Sequence, residues 1–139
     1  MPPPPNILIV EDEKTLADNI KKYLDRCVPN VRVVGDGEHA VTLLETFVPD
    51  AIVMDYRLPG MDGLDTYTAM TRQCRKQIDC VMISGDATES LSQSASDRGI
   101  RSVLPKPFSF ADLLRHLEPS SSHDVEPDSK PSDNNSASS

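Results

Sequence analysis

Three short segments of this chain place charged side chains where an apolar run gives way to a loop. Asp55 closes the run Ala51-Ile52-Val53-Met54 and opens the turn Tyr56-Arg57-Leu58-Pro59-Gly60-Met61-Asp62-Gly63. The run Ile7-Leu8-Ile9-Val10 ends in Glu11-Asp12, and Ser102-Val103-Leu104-Pro105 delivers Lys106. A carboxylate at the carboxyl end of a buried strand faces a loop and is placed for ligand chemistry rather than packing. Three acids and one cation so placed can hold a metal and receive a phosphoryl group.

Gathered in one cleft, Glu11, Asp12 and Asp55 would repel one another, raise one another's pKa and titrate as a coupled set. A divalent cation relieves that repulsion. Mg2+ (or Mn2+) suits an all-oxygen site, because such ions take octahedral oxygen ligands and Mg2+ keeps several waters. The expected ligands are Asp12 and Asp55 directly, Glu11 through water, and the backbone carbonyl of Arg57. Taken singly, each residue has a plainer reading. Asp12 alone is more often a helix cap, and Lys106 alone a surface lysine.

The elements that must position these groups alternate along the chain. Near-continuous apolar runs at residues 6–10, 31–34, 51–54, 80–83 and 103–104 predict strands buried on both faces of a parallel sheet. Between them, Leu16, Ile20 and Leu24 recur at helical spacing after Asp12 or Thr15 as cap, and Ala40, Val41, Leu44 and Phe47 do so in a second helix. A third helix is predicted from Gly63 or Leu64 to Arg75, with Leu64, Tyr67, Met70 and Thr71 inward, and a fifth from Ser109 or Phe110 to Leu117. The fourth, over residues 88–98, offers only Leu91 and Ala95 as core anchors among serines that compete for backbone hydrogen bonds, so it should be the most mobile; Gly99 is placed to end it. The fold class expected is α/β, a doubly wound five-stranded parallel sheet.

Composition narrows the function. The 139 residues carry a net charge of −8 without clustered Lys or Arg, which argues against nucleic-acid binding. No stretch approaches a membrane helix, and Met1-Pro2-Pro3-Pro4-Pro5 lacks the apolar middle of a signal peptide, so a cytoplasmic location is expected. Cys27, Cys74 and Cys80 lack ligand spacing and read as structural thiols. Residues 1–5 form a Pro-rich segment and 6–118 the folded domain. Residues 119–139, nearly all Ser, Pro, Asp, Asn and Lys, are expected to be a disordered tail.

Four motifs in order, Val10-Glu11-Asp12-Glu13, Met54-Asp55 with its turn to Gly63, Met82-Ile83-Ser84-Gly85 and Leu104-Pro105-Lys106-Pro107-Phe108, resemble the receiver domains of two-component response regulators across residues 6–118. The resemblance implies a flavodoxin-like (βα)5 fold with strand order 2-1-3-4-5 and a cis Lys106-Pro107 bond. It implies Asp55 as phosphoacceptor from a histidine kinase or histidine phosphotransfer protein, with Lys106 spreading the charge of the moving group. Ser84 would donate its hydroxyl to the attached phosphoryl group and so trigger switching. Where such domains often carry Tyr or Phe at the switch position, this chain has Val103. Arg57 and Asp86 are expected to approach across the mouth of the site and tune the lifetime of the phosphorylated state.

The function expected is therefore a Mg-dependent phosphorelay receiver that signals by contact with a downstream protein, as a monomer or a weak phosphorylation-dependent dimer. It is not a conventional enzyme, although it would catalyse its own phosphorylation and dephosphorylation. The alternative is a phosphorylation-independent adaptor, for which Val103 is the hint. A phosphatase of the haloacid dehalogenase type would need a second Asp two residues after the nucleophile, and Arg57 stands there.

Overall fold

The computed structural model describes residues 3–118; the expected tail at 119–139 and the first two residues lie outside them. The strands are β1 (Asn6–Val10), β2 (Asn30–Val34), β3 (Ala51–Asp55), β4 (Asp79–Ser84) and β5 (Ser102–Pro105). They alternate with helices α1 (Lys14–Leu24), α2 (Gly37–Leu43), α3 (Gly63–Cys74), α4 (Glu89–Asp97) and α5 (Phe110–Leu117). All strand pairs are parallel, and the sheet order is β2-β1-β3-β4-β5, as the resemblance implied.

The pleat divides the apolar side chains between two cores. Leu8, Val10, Ile52, Met54, Cys80 and Met82 pack with α2, α3 and α4 on one face. Ile7, Ile9, Ala51, Val53, Val81 and Ile83 pack with α1 and α5 on the other. Successive strand residues point to opposite faces, so a run buried throughout needs helices on both sides. β1, β3 and β4 meet that condition. The edge strands do not: Asn30 and Arg32 of β2 are exposed, as is Pro105 of β5, because each edge has one neighbour and incomplete helical cover. Burial on both faces, expected for all five strands, holds only for the central three.

Local chemistry sets the helix ends, and two differ from expectation. α1 is entered from Glu13, whose side chain makes no capping bond, rather than from Asp12 or Thr15. Asp12 is thereby left outside the helix. α2 is capped by Asp36, which accepts from the His39 amide, and stops at Leu43, so Leu44 lies at its end and Phe47 beyond it. α3 ends in a left-handed Arg75, and Thr66 rather than Thr71 is its fully buried threonine. α4 has Thr88 and Arg98 at its ends and only Leu91 and Ala95 buried, as its serine-rich sequence implied. Gly99 follows with φ +92°, a conformation that glycine adopts without cost.

Gly63 marks the tightest approach beneath the carboxyl end of β3. Its amide donates to the Tyr56 carbonyl at 2.8 Å, and a Cβ there would lie 2.7 Å from the Asp55 carbonyl oxygen and 3.0 Å from the Tyr56 Cα. Both obstacles are backbone and cannot rotate away. Gly63→Ala should cost about 1–3 kcal/mol, the scale of overpacking, as measured by urea unfolding; an unchanged midpoint would show that the strand end yields.

Candidate functional site

The pleat that sorts the cores also aims the charged groups. Asp55 continues the parity of Ala51 and Val53, Glu11 that of Ile7 and Ile9, and Lys106 that of Leu104, all on the face of α1 and α5. Backbone hydrogen bonds carry the ladder past the strand ends: Glu11 donates to the Val34 carbonyl at 3.0 Å, Tyr56 to Ile83 at 2.9 Å and Lys106 to Ser84 at 2.8 Å. The side chains therefore leave a rigid frame already converging. The Lys106-Pro107 bond is cis, which agrees with the resemblance.

Asp55 is 5% exposed and both its oxygens are engaged. Oδ2 accepts from the Lys106 ammonium at 3.1 Å and Oδ1 from the Arg57 amide at 3.2 Å. Glu11, 2% exposed, accepts through Oε2 from the Glu13 amide at 3.0 Å, which fastens the entry to α1. Its other oxygen, Oε1, is buried without a hydrogen bond; the Lys106 ammonium, 3.5 Å away, is a charge neighbour only. Asp12 is exposed, and one carboxylate oxygen from each of Glu11, Asp12 and Asp55 lies within 4.8 Å of the others. Asp12, freed from capping, completes the trio.

The electrostatics follow from this crowding. Burial, with lesser help from the charge of Asp55, pushes the Glu11 carboxyl up to about 7, against the pull of the Glu13 amide and Lys106. Partial desolvation would lower Lys106, but the hydrogen bond and charge of Asp55, together with Glu11, outweigh it and hold the ammonium above its ordinary value. A cleft that raises the pKa of a buried acid and leaves one of its oxygens unbonded suits a hard cation with oxygen ligands. The donor set fits.

The cleft over the acids encloses about 400 Å3 and is bordered by Arg57, Gly85, Asp86 and Lys106 as well as the acids. Gly85 is exposed, and nothing lies within 4 Å of where its Cβ would stand. Arg57 and Asp86 thus flank the same mouth, although no ion pair joins them among the described residues. Ser84 is 1% exposed, and its hydroxyl oxygen accepts from the Asp86 amide at 3.0 Å. Val103 is half-buried beside the α2–α4 core. A roomier groove, about 440 Å3, lies between α1 and α5 along Lys22, Tyr23 and Phe110; it contains none of the converging acids, so size does not mark the site.

Two participants escaped the sequence reading. Glu13 borders the cleft and supplies the amide that holds Glu11. Tyr56 has its half-buried side chain between the end of β3 and α4. Adjacency to Asp12 and Asp55 was the only signal for either. Cys27, Cys74 and Cys80 are free thiols of exposed, intermediate and buried character.

A doubly wound parallel sheet whose acids gather at the carboxyl ends of β1 and β3, where the strand order reverses, defines an α/β protein with a candidate ligand site at the topological switch point. The response regulator receiver domain family matches residues 7–118, and the chain belongs to that family. It is 32% identical over 116 residues to the transcriptional regulatory protein PdtaR of Mycobacterium tuberculosis, covering 83% of this chain and 56% of that protein. It is 32% identical over 111 residues to the transcriptional activator protein PfeR of Pseudomonas aeruginosa, covering 80% of this chain and 36% of that one. The chain thus spans about half or less of the length of these relatives. Among solved structures, the receiver domain of the Francisella response regulator 1452 superposes with a TM-score of 0.74 at 26% identity, covering 81% of this chain and 93% of that domain. No described helix is long and apolar enough to cross a membrane.

The raised Glu11 pKa has a signed consequence. A carboxyl that binds its proton more tightly when folded contributes stability that is present below its unfolded value of 4.5 and is lost as pH rises through about 7. Half-buried His116 is shifted down by desolvation and by Arg101 and Arg115, and opposes this over part of the range. Comparison with Glu11→Gln isolates the acid: in metal-free buffer the wild type should lose thermal stability relative to the variant between pH 5 and pH 8. Added Mg2+ should restore the wild type most at the upper end. Parallel curves would remove the charge crowding from the account.

Proposed function

We propose that this chain is a phosphoacceptor receiver, with Asp55 as nucleophile toward the phosphohistidine of a histidine kinase or histidine phosphotransfer protein. The observation that carries the reading is Lys106, whose ammonium stands 3.1 Å from buried Asp55 and 3.5 Å from the unbonded Glu11 oxygen. Family membership supports the assignment. Asp12 and Asp55 would hold a divalent cation directly, Glu11 through water, and the Arg57 carbonyl would complete the protein's share. When bound, Mg2+ or Mn2+ would offset the mutual repulsion of the acids and draw charge from the phosphoryl oxygens.

The protein's own groups do the rest. An Asp55 oxygen forms a bond to phosphorus as the P–N bond of the donor breaks, and the imidazole leaves and takes up a proton. The product is an acyl phosphate. Lys106 is released from its bond to the carboxylate and neutralises the group that carboxylate now carries, a contribution strengthened by low exposure. The Ser84 hydroxyl accepts from the Asp86 amide and still has its own proton to give, so it can bond the phosphoryl oxygen without breaking that link. Any displacement of Ser84 would then draw the β4–α4 loop with it. Hydrolysis returns the carboxylate when water attacks phosphorus. Output is proposed to pass by contact to a downstream protein.

The half-buried Val103 favours a second reading, an adaptor that works without phosphate. Fluoroberyllate with Mg2+ separates the two, since an adaptor has no need to bind it. With a phosphohistidine donor, Asp55→Asn should take no label. Lys106→Ala should accept label about a hundredfold more slowly or worse, the scale of a lost charge-stabilising donor. Normal labelling of Asp55→Asn would refute the assignment.

Arg57→Ala and Asp86→Ala test the tuning role. Each should shift the decay half-life of the acyl phosphate several-fold while changing stability by less than about 1 kcal/mol, as exposed charges do. Decay indistinguishable from wild type in both would reject it.

A further inference from the structure

Three tyrosines and no tryptophan make up the large polar aromatics of this chain, and two of the three are held. The Tyr23 ring packs on Phe110 with centroids 5.3 Å apart. Tyr67 is fully buried, and its hydroxyl donates to the carbonyls of Ile78 at 2.9 Å and Gly99 at 3.3 Å. Tyr56 differs. Its backbone is pinned on both sides, amide to Ile83 and carbonyl to Gly63, but among the described residues its hydroxyl makes no hydrogen bond. Its side chain borders a cavity of about 230 Å3 between the β3–α3 turn and α4, lined by Leu64 and Leu91 on the apolar side and by Thr88, Ser90 and Ser94 on the hydroxyl side.

That cavity touches both ends of the proposed chemistry. Tyr56 follows Asp55 directly, and Asp86, whose amide is bonded to the Ser84 hydroxyl, forms part of the same wall. We infer that Tyr56 is the positioning residue that reads the state of Asp55, its ring moving into the cavity against α4 when Ser84 draws the β4–α4 loop toward the phosphoryl group. The inference rests on the phosphoacceptor reading. With its backbone fixed and its ring packed at the border of the α2–α4 core, the side chain has few rotamers open to it. The apolar wall suits its body, and the serine and threonine hydroxyls offer its phenol the partner it now lacks. α4, anchored by Leu91 and Ala95 alone, is an element such a ring could shift. Val103, short and aliphatic, presents no ring at the edge of the sheet. The aromatic ring that borders the β4–α4 loop is thus the one under α4.

The experiment uses the whole chain with ring-13C tyrosine, Mg2+ and fluoroberyllate. The Tyr56 signal, assigned by its loss in Tyr56→Phe, should move on loading, while those of Tyr23 and Tyr67 stay. Amide hydrogen exchange across α4 should change several-fold on loading in the wild type and in Tyr56→Phe, and should change little in Tyr56→Leu that still binds fluoroberyllate stoichiometrically. A stationary Tyr56 signal in the loaded wild type, or an undiminished α4 response in Tyr56→Leu, overturns the inference. Should Tyr56→Leu fail to fold, the wild-type ring signal decides alone. Failure of the wild type to bind fluoroberyllate overturns the phosphoacceptor reading itself, and this inference with it.

Discussion

Two largely buried carboxyl groups and one part-exposed ammonium share the floor of a cleft, with a third carboxylate at its lip. Glu11 and Asp55 are almost completely buried, and among the described residues Lys106 is the only cation paired with either. Removing such charges from water costs several kcal/mol each unless partners compensate, and one ammonium between two acids compensates one of them. The unbonded Glu11 oxygen and its raised pKa are two expressions of that deficit. The imbalance leaves a local charge deficit that a bound cation would relieve. A site balanced by its own side chains would have no need of one.

Such a cluster endures because the frame beneath it does not yield. Ile7 to Val10, Ala51 to Met54 and Cys80 to Ile83 are 0% exposed, so the strands that end in Glu11 and Asp55 cannot relax to separate them. Close packing at Gly63 extends the same rigidity around the turn. Convergence of the charges is a consequence of pleat parity, since residues of like parity on neighbouring parallel strands share a face. The same parity places Ser84 on the opposite face from Asp55, toward α4. One hydroxyl at the end of β4 is thus in a position to connect chemistry on one side of the sheet with a helix on the other.

Much of this was legible from residue order, because an apolar run ending in a carboxylate states both a buried strand and a charge at its end. Asp55, Glu11 and Lys106 are readable that way, and the structure brings them together. Edge strands are harder to read: Val31 to Val34 is apolar except for Arg32, and its place in the sheet leaves Val33 and Val34 only half-buried. Capping is ambiguous wherever acids adjoin. Asp12, Glu13 and Thr15 all compete at the start of α1, and the outcome depends on Glu11 claiming the Glu13 amide from another element. Arg57 and Asp86 are placed at the mouth by position alone, and both border the cleft there, while the fine arrangement of two exposed, flexible side chains is not fixed by residue order.

The unequal anchoring of the helices decides which element can answer a change of charge at Asp55. α1 and α5 share a core containing Ile20, Leu24, Leu113 and Leu117, all fully buried, and α3 contributes Tyr67 and Met70. α4 contributes Leu91 and Ala95, and its exposed C-terminal end is tied to α3 by Arg98, which bonds Asp65 at 3.0 Å and Thr68 at 3.2 Å. Its other end follows the loop held by the Ser84 hydroxyl. A helix with little buried area, fastened at one end by an exposed ion pair and at the other by a single hydroxyl, costs least to move. The free energy available to the switch is only the difference in bonding that the phosphoryl group makes between the two arrangements. On the proposed reading, the weak anchoring of α4 would bring its displacement within reach of one hydrogen bond and one redirected ammonium.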